Sequence, residues 1–157
     1  TLAFPFYDPE KNFPFAILKE KNQGYLKRLP EIEKSATIIT GKLAAPFLEK
    51  FLKLTGKSSL VNILTLKKDI ADLIVPEDLK SADLGEVKEN VILPYGALVH
   101  KRQAVEILGE DGLKRNIKRG PIVLTHPYYE SIDFNQEKLI KYELKSFKEL
   151  IKTINSF

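Results

Sequence analysis

The side chains best suited to catalysis in this sequence are His100 and His126, its only two histidines. They are too few to form the usual clusters of metal ligands, and both fall in predicted loops. An ordinary polar side chain at a turn is the first interpretation of each. His100 is kept as a candidate site residue because it follows a Gly-containing turn that we expect beside a cleft. Cysteine is absent, which excludes disulfides, thiolate zinc sites and iron-sulfur clusters held by these residues.

Acidic residues are concentrated between positions 69 and 89, where seven of them accompany only two lysines. A carboxylate pair for acid-base catalysis would have to come from residues 69–83. Glu77 and Asp78 directly follow Pro76, however, and acidic residues are favoured in the first turn of a helix by the helix dipole. We therefore interpret them as helix-start residues. Because no Ser-His-Asp spacing and no GxSxG motif occurs, the residues alone do not predict a self-contained enzyme.

The most basic stretch is the run KRNIKR at 114–119, in a chain with a net charge of +4 and a pI of about 9.1. Such a run could contact the phosphates of a nucleic acid. It lacks the interleaved aromatic residues that would support this, and a solvated basic surface is the commoner meaning. The run therefore does not by itself predict a nucleic-acid partner.

The stretch 36–48, ATIITGKLAAPFL, changes from β-branched residues to helical spacing across a Thr-Gly turn. It predicts a strand, a tight turn and the start of a helix. Ligands of open α/β sheets gather beyond the carboxyl ends of the strands, and a Gly there lets a ligand or a second backbone come close. We expect Thr40, Gly41 and Lys42 to border any site. A plain turn is the competing interpretation, because neither GxxxxGK[ST] nor GxGxxG is present.

A second turn of this kind, at 94–96, follows a predicted strand at 91–93. Its glycine lies on the same predicted edge of the sheet as Gly41, so we expect the two turns to face one cleft. The apolar loop 73–75, which precedes the predicted helix start at Pro76, either packs in the core or lines that cleft.

The elements that must position these turns have the alternation of an α/β fold. Strands are predicted at 37–40, 60–66 and 91–93, with a probable edge strand at 122–124. The helix after the first turn is expected to bury Leu43, Phe47, Phe51 and Leu54, and a short helix is predicted at 103–108. The clearest helix is the last, with Asn135 as its N-cap and an apolar face formed by Ile140, Leu144, Phe147, Ile151 and Ile154. We predict a small, three-layer-like α/β sheet of strand-turn-helix units with a long C-terminal amphipathic helix.

Length and composition are those of one ordinary globular domain: 157 residues, 43% hydrophobic and 29% charged. No signal peptide or membrane-spanning run is evident, which predicts a cytoplasmic protein. Methionine is absent, so we expect a fragment of a longer chain. Residues 1–15, with three prolines among five aromatic residues, are predicted to be an arm that either packs on this domain's core or is a linker from a preceding domain, and residues 16–157 are predicted to form a single domain.

Three stretches together resemble a known family: ITGKLAAPFLEKF, IADLIVPEDLKSADLGEVKENVILPYGALVH, and RGPIVLTHPYYE followed by the final helix. They resemble the carboxyl-terminal part of methanogenesis marker protein ten, the archaeal radical-SAM methyltransferase that methylates an arginine carbon of methyl-coenzyme M reductase. They are also similar to the uncharacterised C-terminal domain of a wider group of bacterial radical-SAM proteins. The resemblance covers most of the chain from about residue 8 onward.

The resemblance implies a protein that uses S-adenosylmethionine, an iron-sulfur cluster and cobalamin. The cluster requires a CxxxCxxC motif, so the resemblance assigns the cluster and S-adenosylmethionine to a preceding radical-SAM domain. Cobalamin binding is the task left for this domain, with methyl-coenzyme M reductase as the protein substrate and with no nucleic acid or membrane partner. The DxHxxG cobalamin motif is absent, so a histidine ligand to cobalt is not expected.

Cobalamin requires a broad apolar floor for the corrin and backbone groups around its amide side chains. We expect an aliphatic side chain to cover its lower face, with Leu73 as the first choice. The full set of candidate cofactor-binding residues is Thr40, Gly41, Lys42, Leu73, Ile74, Val75, Pro94, Tyr95, Gly96 and His100. The alternative is a non-catalytic binding module for protein or nucleic acid attached to an iron-sulfur oxidoreductase, with KRNIKR and the aromatic arm as its contact surface.

Overall fold

A computed structural model describes residues 16–121 and 136–157. The described chain forms a four-stranded, wholly parallel sheet in the order β2-β1-β3-β4, with helices on both faces. The strands are β1 Ala36–Thr40, β2 Val61–Thr65, β3 Asn90–Leu93 and β4 Asn116–Arg119; the helices are α1 Ala45–Thr55, α2 Pro76–Lys80, α3 Lys101–Ile107 and α4 Gln136–Asn155. Short 3₁₀ helices occupy Ala16–Leu18, Glu20–Arg28, Ala71–Leu73 and Leu84–Glu86. The predicted α/β class and the long C-terminal helix are confirmed.

The central strand β1 is buried along its whole length, as expected of a parallel strand covered on both faces. Alternate residues of the central strands face two separate cores. Ile38 and Ile92 contribute to the core with α1 and α4, where the rings of Phe51 and Phe147 stack with centroids 4.1 Å apart. Ile39 contributes to the other core, on the side of α2 and α3. The sheet is therefore the middle of three layers.

Local signals explain the bounds of α1. Pro46 lies in its first turn, where its missing N–H costs no hydrogen bond. Gly56 ends the helix with a φ of 72°, in the left-handed region that a side chain would disfavour. The helix packs Phe47 and Phe51 into the core as predicted. Leu54 was predicted to join them but is 38% exposed, because the buried face turns toward Leu48 and Leu52.

Of the two short helices on the opposite face, α2 begins at Pro76 as predicted, whereas α3 begins at Lys101, two residues before the predicted start. At the start of α2, the carboxylate of Asp78 accepts a hydrogen bond of 2.9 Å from the Val75 N–H. Asp78 therefore acts as a helix-start residue, as interpreted, and not as one of a catalytic pair. At the start of α3, the side chain of Gln103 accepts a 3.1 Å hydrogen bond from the His100 N–H.

The basic run 114–119 is largely solvated, as the sequence suggested, because residues 116–119 form the edge strand β4; of its four basic residues Arg115 is the one that is buried. Arg115 is buried just before that strand and donates to the carbonyls of Leu84, Val87 and Leu108 and to both oxygens of Asp111, the latter at 2.8 Å. The hydrogen bond from Arg115 lowers the pKa of Asp111 to about 2. Arg115 thus ties β4 to the loops before β3 and after α3.

Four sequence predictions lie outside the described residues: the arm at 1–15, the edge strand at 122–124, the loop with His126 and the Asn135 N-cap. The apolar face of α4 is confirmed where it is described, with Phe147, Ile151 and Ile154 in the core and Leu144 packed against it. On the same helix the buried carboxylate of Glu143 accepts a 2.8 Å hydrogen bond from the Ile17 N–H, which holds the segment Ala16–Leu18 against α4. No helix among the described residues is both long and apolar enough to cross a membrane.

Candidate functional site

The two glycine turns lie at the carboxyl ends of β1 and β3, which are neighbours in the sheet. The chain leaves β1 through α1, on one face, whereas it leaves β3 through α3, on the other. Strands whose connections diverge in this way form a topological switch point, where open α/β sheets bind ligands. The expectation that the turns share one edge of the sheet is therefore correct.

The space beside Gly41 is occupied by the chain itself. A Cβ at this position would lie 2.6 Å from the Asp69 carbonyl oxygen, 2.8 Å from that of Lys68 and 2.9 Å from the Ala71 nitrogen. Of the two uses foreseen for this glycine, the approach of a second backbone is the one observed. The segment 68–71 closes the β1 side of the switch point.

Three backbone N–H groups of the turn after β1 are already bonded to the chain itself. The Lys42 N–H donates to Lys68 O at 2.9 Å, and the Leu43 N–H donates to Asp69 O at 3.1 Å. The Ala45 N–H bonds back to Gly41 O, and Pro46 has no N–H to offer. The interpretation as a plain turn accounts for these residues better than a phosphate cradle does.

The turn after β3 is held differently, by a side chain. The Asp72 carboxylate accepts a 3.1 Å hydrogen bond from the Gly96 N–H, and a Cβ on Gly96 would lie 2.6 Å from that same oxygen. Two residues after Gly96, the Leu98 N–H donates a hydrogen bond to Ile74 O at 2.8 Å. The loop 72–74 and the turn 94–98 therefore form one joined surface at the carboxyl edge of the sheet.

This joined surface exposes apolar side chains. Leu73 is 52% exposed, Tyr95 is 55% exposed and Leu98 is 62% exposed. Leu73 and Leu98 are brought close by the backbone bond between Ile74 and Leu98. We call these three residues, Leu73, Tyr95 and Leu98, the apolar edge surface. Leu98 was missed by the sequence analysis, which had no signal to separate it from the buried Val99 beside it.

The other predicted residues take different positions. Ile74 is fully buried in the core and Pro94 is buried as well, so neither side chain can form a binding floor, while Val75 is only half-buried. Lys42 is exposed and lines a shallow groove along β2, away from the other candidates. His100 is exposed at the start of α3. Of the ten predicted residues, Leu73 and Tyr95 are those with apolar side chains exposed on the joined surface.

Thr40 is the unusual residue at the end of β1. It is 1% exposed, and among the described residues its hydroxyl oxygen has no hydrogen-bond partner. A buried hydroxyl without a partner is costly. Thr37, at the other end of the same strand, shows the normal arrangement, since its hydroxyl donates to Asn62 at 2.7 Å and accepts from the Lys88 N–H at 2.9 Å.

A second concave surface, not foreseen from the sequence, lies between the ends of β3 and β4 and helix α4. It has a volume of about 550 Å³ and includes Tyr95 and Arg119 on one side and Tyr142, Lys145 and Lys152 on the other. We call it the α4 groove. The sequence signal was present as polar residues spaced along α4, but the strand that faces them had been interpreted only as a solvated basic surface.

Within residues 16–121 and 136–157, no three His, Cys, Asp or Glu side chains are placed to hold a metal ion together. No protein-family model matches the chain, and neither does any curated protein sequence.

Proposed function

We propose that this chain is the cobalamin-binding domain of a radical-SAM methyltransferase that C-methylates an arginine of methyl-coenzyme M reductase. The observation that carries the proposal is the apolar edge surface, in which Leu73 and Leu98 are more than half exposed beside the switch point of a parallel sheet. Exposed aliphatic side chains at this position are suited to cover the flat face of the corrin ring of a large cofactor.

The side chains present could form a floor for cobalamin, but the packing of the chain restricts where the cofactor could bind. Leu73, Leu98 and Tyr95 provide an apolar floor with a phenol hydroxyl at its margin. The crevice between β1 and β3 is filled by residues 68–74, so the cofactor would rest on the outside of this layer and be covered from above by a second domain. Cobalamin, when bound, supplies the methyl carrier for the reaction, and these side chains bind and orient it.

In this proposal the radical chemistry takes place in another domain. The sequence has no cysteine, so the iron-sulfur cluster and S-adenosylmethionine are assigned to a preceding radical-SAM domain, which would also contact the reductase substrate. The contribution of this chain is then to hold the carrier at a fixed edge. The Leu98 to Ile74 hydrogen bond supports that role because it fixes the loop that presents Leu73.

The test is an absorbance titration with hydroxocobalamin, followed by gel filtration to see whether colour travels with the protein. It is made on this chain and on the same chain preceded by the radical-SAM domain that the proposal requires. Leu73→Ser should weaken binding about tenfold, because it removes apolar contact area. Leu113→Ser is the matched control: Leu113 is 62% exposed and lies just before β4, at the opposite edge of the sheet. Failure of both proteins to bind would exclude the proposal.

A non-catalytic binding module remains the second candidate. The fold leaves fewer basic side chains of its proposed contact surface free to bind a partner, since Arg115 is buried and Arg119 is bonded to backbone carbonyls. Lys118 bonds to Ser156 at the end of α4. The aromatic arm, which was the other part of that surface, lies outside the described residues. Failure of hydroxocobalamin to bind either protein would favour this second candidate.

A further inference from the structure

The α4 groove carries an excess of positive charge. Arg119, Lys145 and Lys152 line it, together with a single carboxylate, that of Glu149. None of these four side chains forms an ion pair within the described parts of the chain. Three cations around one concave surface, opposed by one acid, form a site of net positive charge. Such a site attracts an anionic ligand.

Arg119 provides a fixed part of this charge. Its guanidinium donates to the carbonyls of Pro94, Tyr95 and Ala97 at 3.1 to 3.3 Å, and also to that of Val99. Carbonyl groups are neutral, so these bonds hold the group in place without cancelling its charge. Arg115 differs, because Asp111 neutralises it at the other end of β4. The positive charge at the groove is therefore preorganised, at no cost to a ligand that binds there.

The two lysines face the groove from one side of α4. They are seven residues apart, which places them two turns apart on the same face of the helix. Tyr142, three residues before Lys145, lies on that face as well and is 39% exposed. The groove thus combines mobile cations on α4 with a fixed cation at the end of β4.

An exposed aromatic ring stands at the same groove. Tyr95 is 55% exposed, and its turn is held by the Arg119 guanidinium and by the Asp72 carboxylate that bonds its neighbour Gly96. The backbone that carries the ring is thus fixed, and the exposed ring offers a face on which a flat group can stack. The volume of about 550 Å³ is within the usual range for sites of small organic ligands.

From these features we infer that the α4 groove binds a mononucleotide-type ligand, a phosphate ester joined to a flat ring. Lys145, Lys152 and Arg119 would contact the phosphate, and the ring would stack on Tyr95. This site goes beyond the proposed cobalamin-binding function and does not depend on it. The lysines belong to the groove alone, whereas Tyr95 borders both surfaces, so the lysines provide the discriminating test.

The experiment is isothermal titration calorimetry of the full 157-residue chain with adenosine 5′-monophosphate, inorganic phosphate and adenosine at low salt. The nucleotide is expected to bind more tightly than either part alone. The double variant Lys145→Gln/Lys152→Gln should weaken it at least about tenfold, because two phosphate contacts are lost. Its control is Lys141→Gln/Lys148→Gln, which changes the net charge equally on the same helix with the same spacing; both of these lysines are exposed and neither lines the groove. We expect less than about twofold weakening there.

Absence of nucleotide binding to the unchanged chain would overturn the inference, and so would equal weakening by the two double variants, which would indicate only general attraction to a basic protein. Tyr95→Ala gives an independent readout. It should weaken binding of the nucleotide and leave binding of inorganic phosphate unchanged. Hydroxocobalamin binding by the Lys145→Gln/Lys152→Gln variant is measured in parallel. Its retention alongside loss of the nucleotide would separate the two sites.

Discussion

The glycine turns after β1 and β3 have the same local pattern in the sequence and opposite environments in the fold. Gly41 is enclosed by backbone atoms of the segment 68–71, and the N–H groups of the two residues that follow it are bonded to that segment. Gly96 is held by one carboxylate, that of Asp72, and its neighbour Tyr95 remains exposed. The first turn is closed, and the second is open.

A strand-turn-helix pattern therefore predicts where the edge of a sheet lies, but not which turn at that edge is open to a ligand. The segment after β2 decides which turn is covered. It crosses from β2 over the end of β1, packs against Gly41, and then joins the turn after β3 through Asp72 and Ile74. Substitutions at the two turns test this contrast between a closed and an open turn.

The largest effect should come from Gly41→Ala. The added Cβ would meet two carbonyl oxygens and one backbone nitrogen at 2.6 to 2.9 Å, and backbone atoms cannot rotate away. We expect a loss of about 3 kcal/mol in the free energy of unfolding, measured by urea denaturation. Asp69→Ala in the same protein should not relieve the loss, because the contact is with the main chain. Full stability of Gly41→Ala would show that the segment 68–71 is not packed as described.

A second contrast concerns the hydroxyls at the two ends of β1. Thr37→Val should cost about 1.5 kcal/mol, because it leaves the Lys88 N–H and the side-chain oxygen of Asn62 without their partner. Thr40→Val should be neutral or stabilise the chain by up to about 1 kcal/mol, because it removes a buried hydroxyl with no partner in the described chain. Thermal unfolding of both variants provides the measurement. A comparable loss in both would mean that the closed turn satisfies Thr40 after all.

The sequence predicted the parts of this site that depend on local patterns. The β-branched run, Pro46 and Gly56 correctly predicted β1 and α1, although Leu43, which was expected in the helix, precedes it and is half-buried. The shared edge of the two turns followed from the rule that parallel strands place their carboxyl ends together. These features required no knowledge of which strands are neighbours.

The sequence could not predict features that depend on long-range contacts. The run at 114–119 was interpreted as solvated because a lone arginine carries no sign that its charge will be buried. Arg115 is buried because carbonyls of the loops 84–87 and 108–111 converge on it. The exposure of Leu98 likewise depends on its bond to Ile74, a residue 24 positions away in the chain. Periodicity within one segment contains no information on such partners.

A smaller effect is expected at the open turn. Gly96→Ala places its Cβ 2.6 Å from an Asp72 carboxylate oxygen, a side-chain atom that can move aside, so we expect a cost of about 1 kcal/mol. In the Asp72→Ala background the same substitution should cost much less. The double-mutant cycle, measured by urea denaturation, should therefore give a coupling of about 1 kcal/mol. An additive cycle would contradict the assignment of Asp72 as the support of this turn.

The smallest expected effect is on the melting temperature at acidic pH, and it concerns Arg115 at the amino end of β4. The hydrogen bond from Arg115 lowers the pKa of Asp111 from its ordinary value of 3.8 to about 2. A carboxyl group whose pKa is lowered in the folded state stabilises the fold above its unfolded pKa, and this stabilisation is lost as the pH falls toward the folded value. The melting temperature of the unchanged chain should therefore fall more between pH 4 and pH 2 than that of Asp111→Asn.

Glu110→Gln provides the matched control for this measurement, because it removes the same charge from the adjacent, exposed position. Its melting temperature should follow that of the unchanged chain throughout the acid range. If Asp111→Asn and Glu110→Gln gave the same profile, Asp111 would not neutralise Arg115. Arg115, just before β4, would then carry an uncompensated charge, as Arg119 does at the end of the strand. A difference confined to Asp111→Asn would show that Asp111 neutralises Arg115, whereas Arg119 has no ion pair within the described residues.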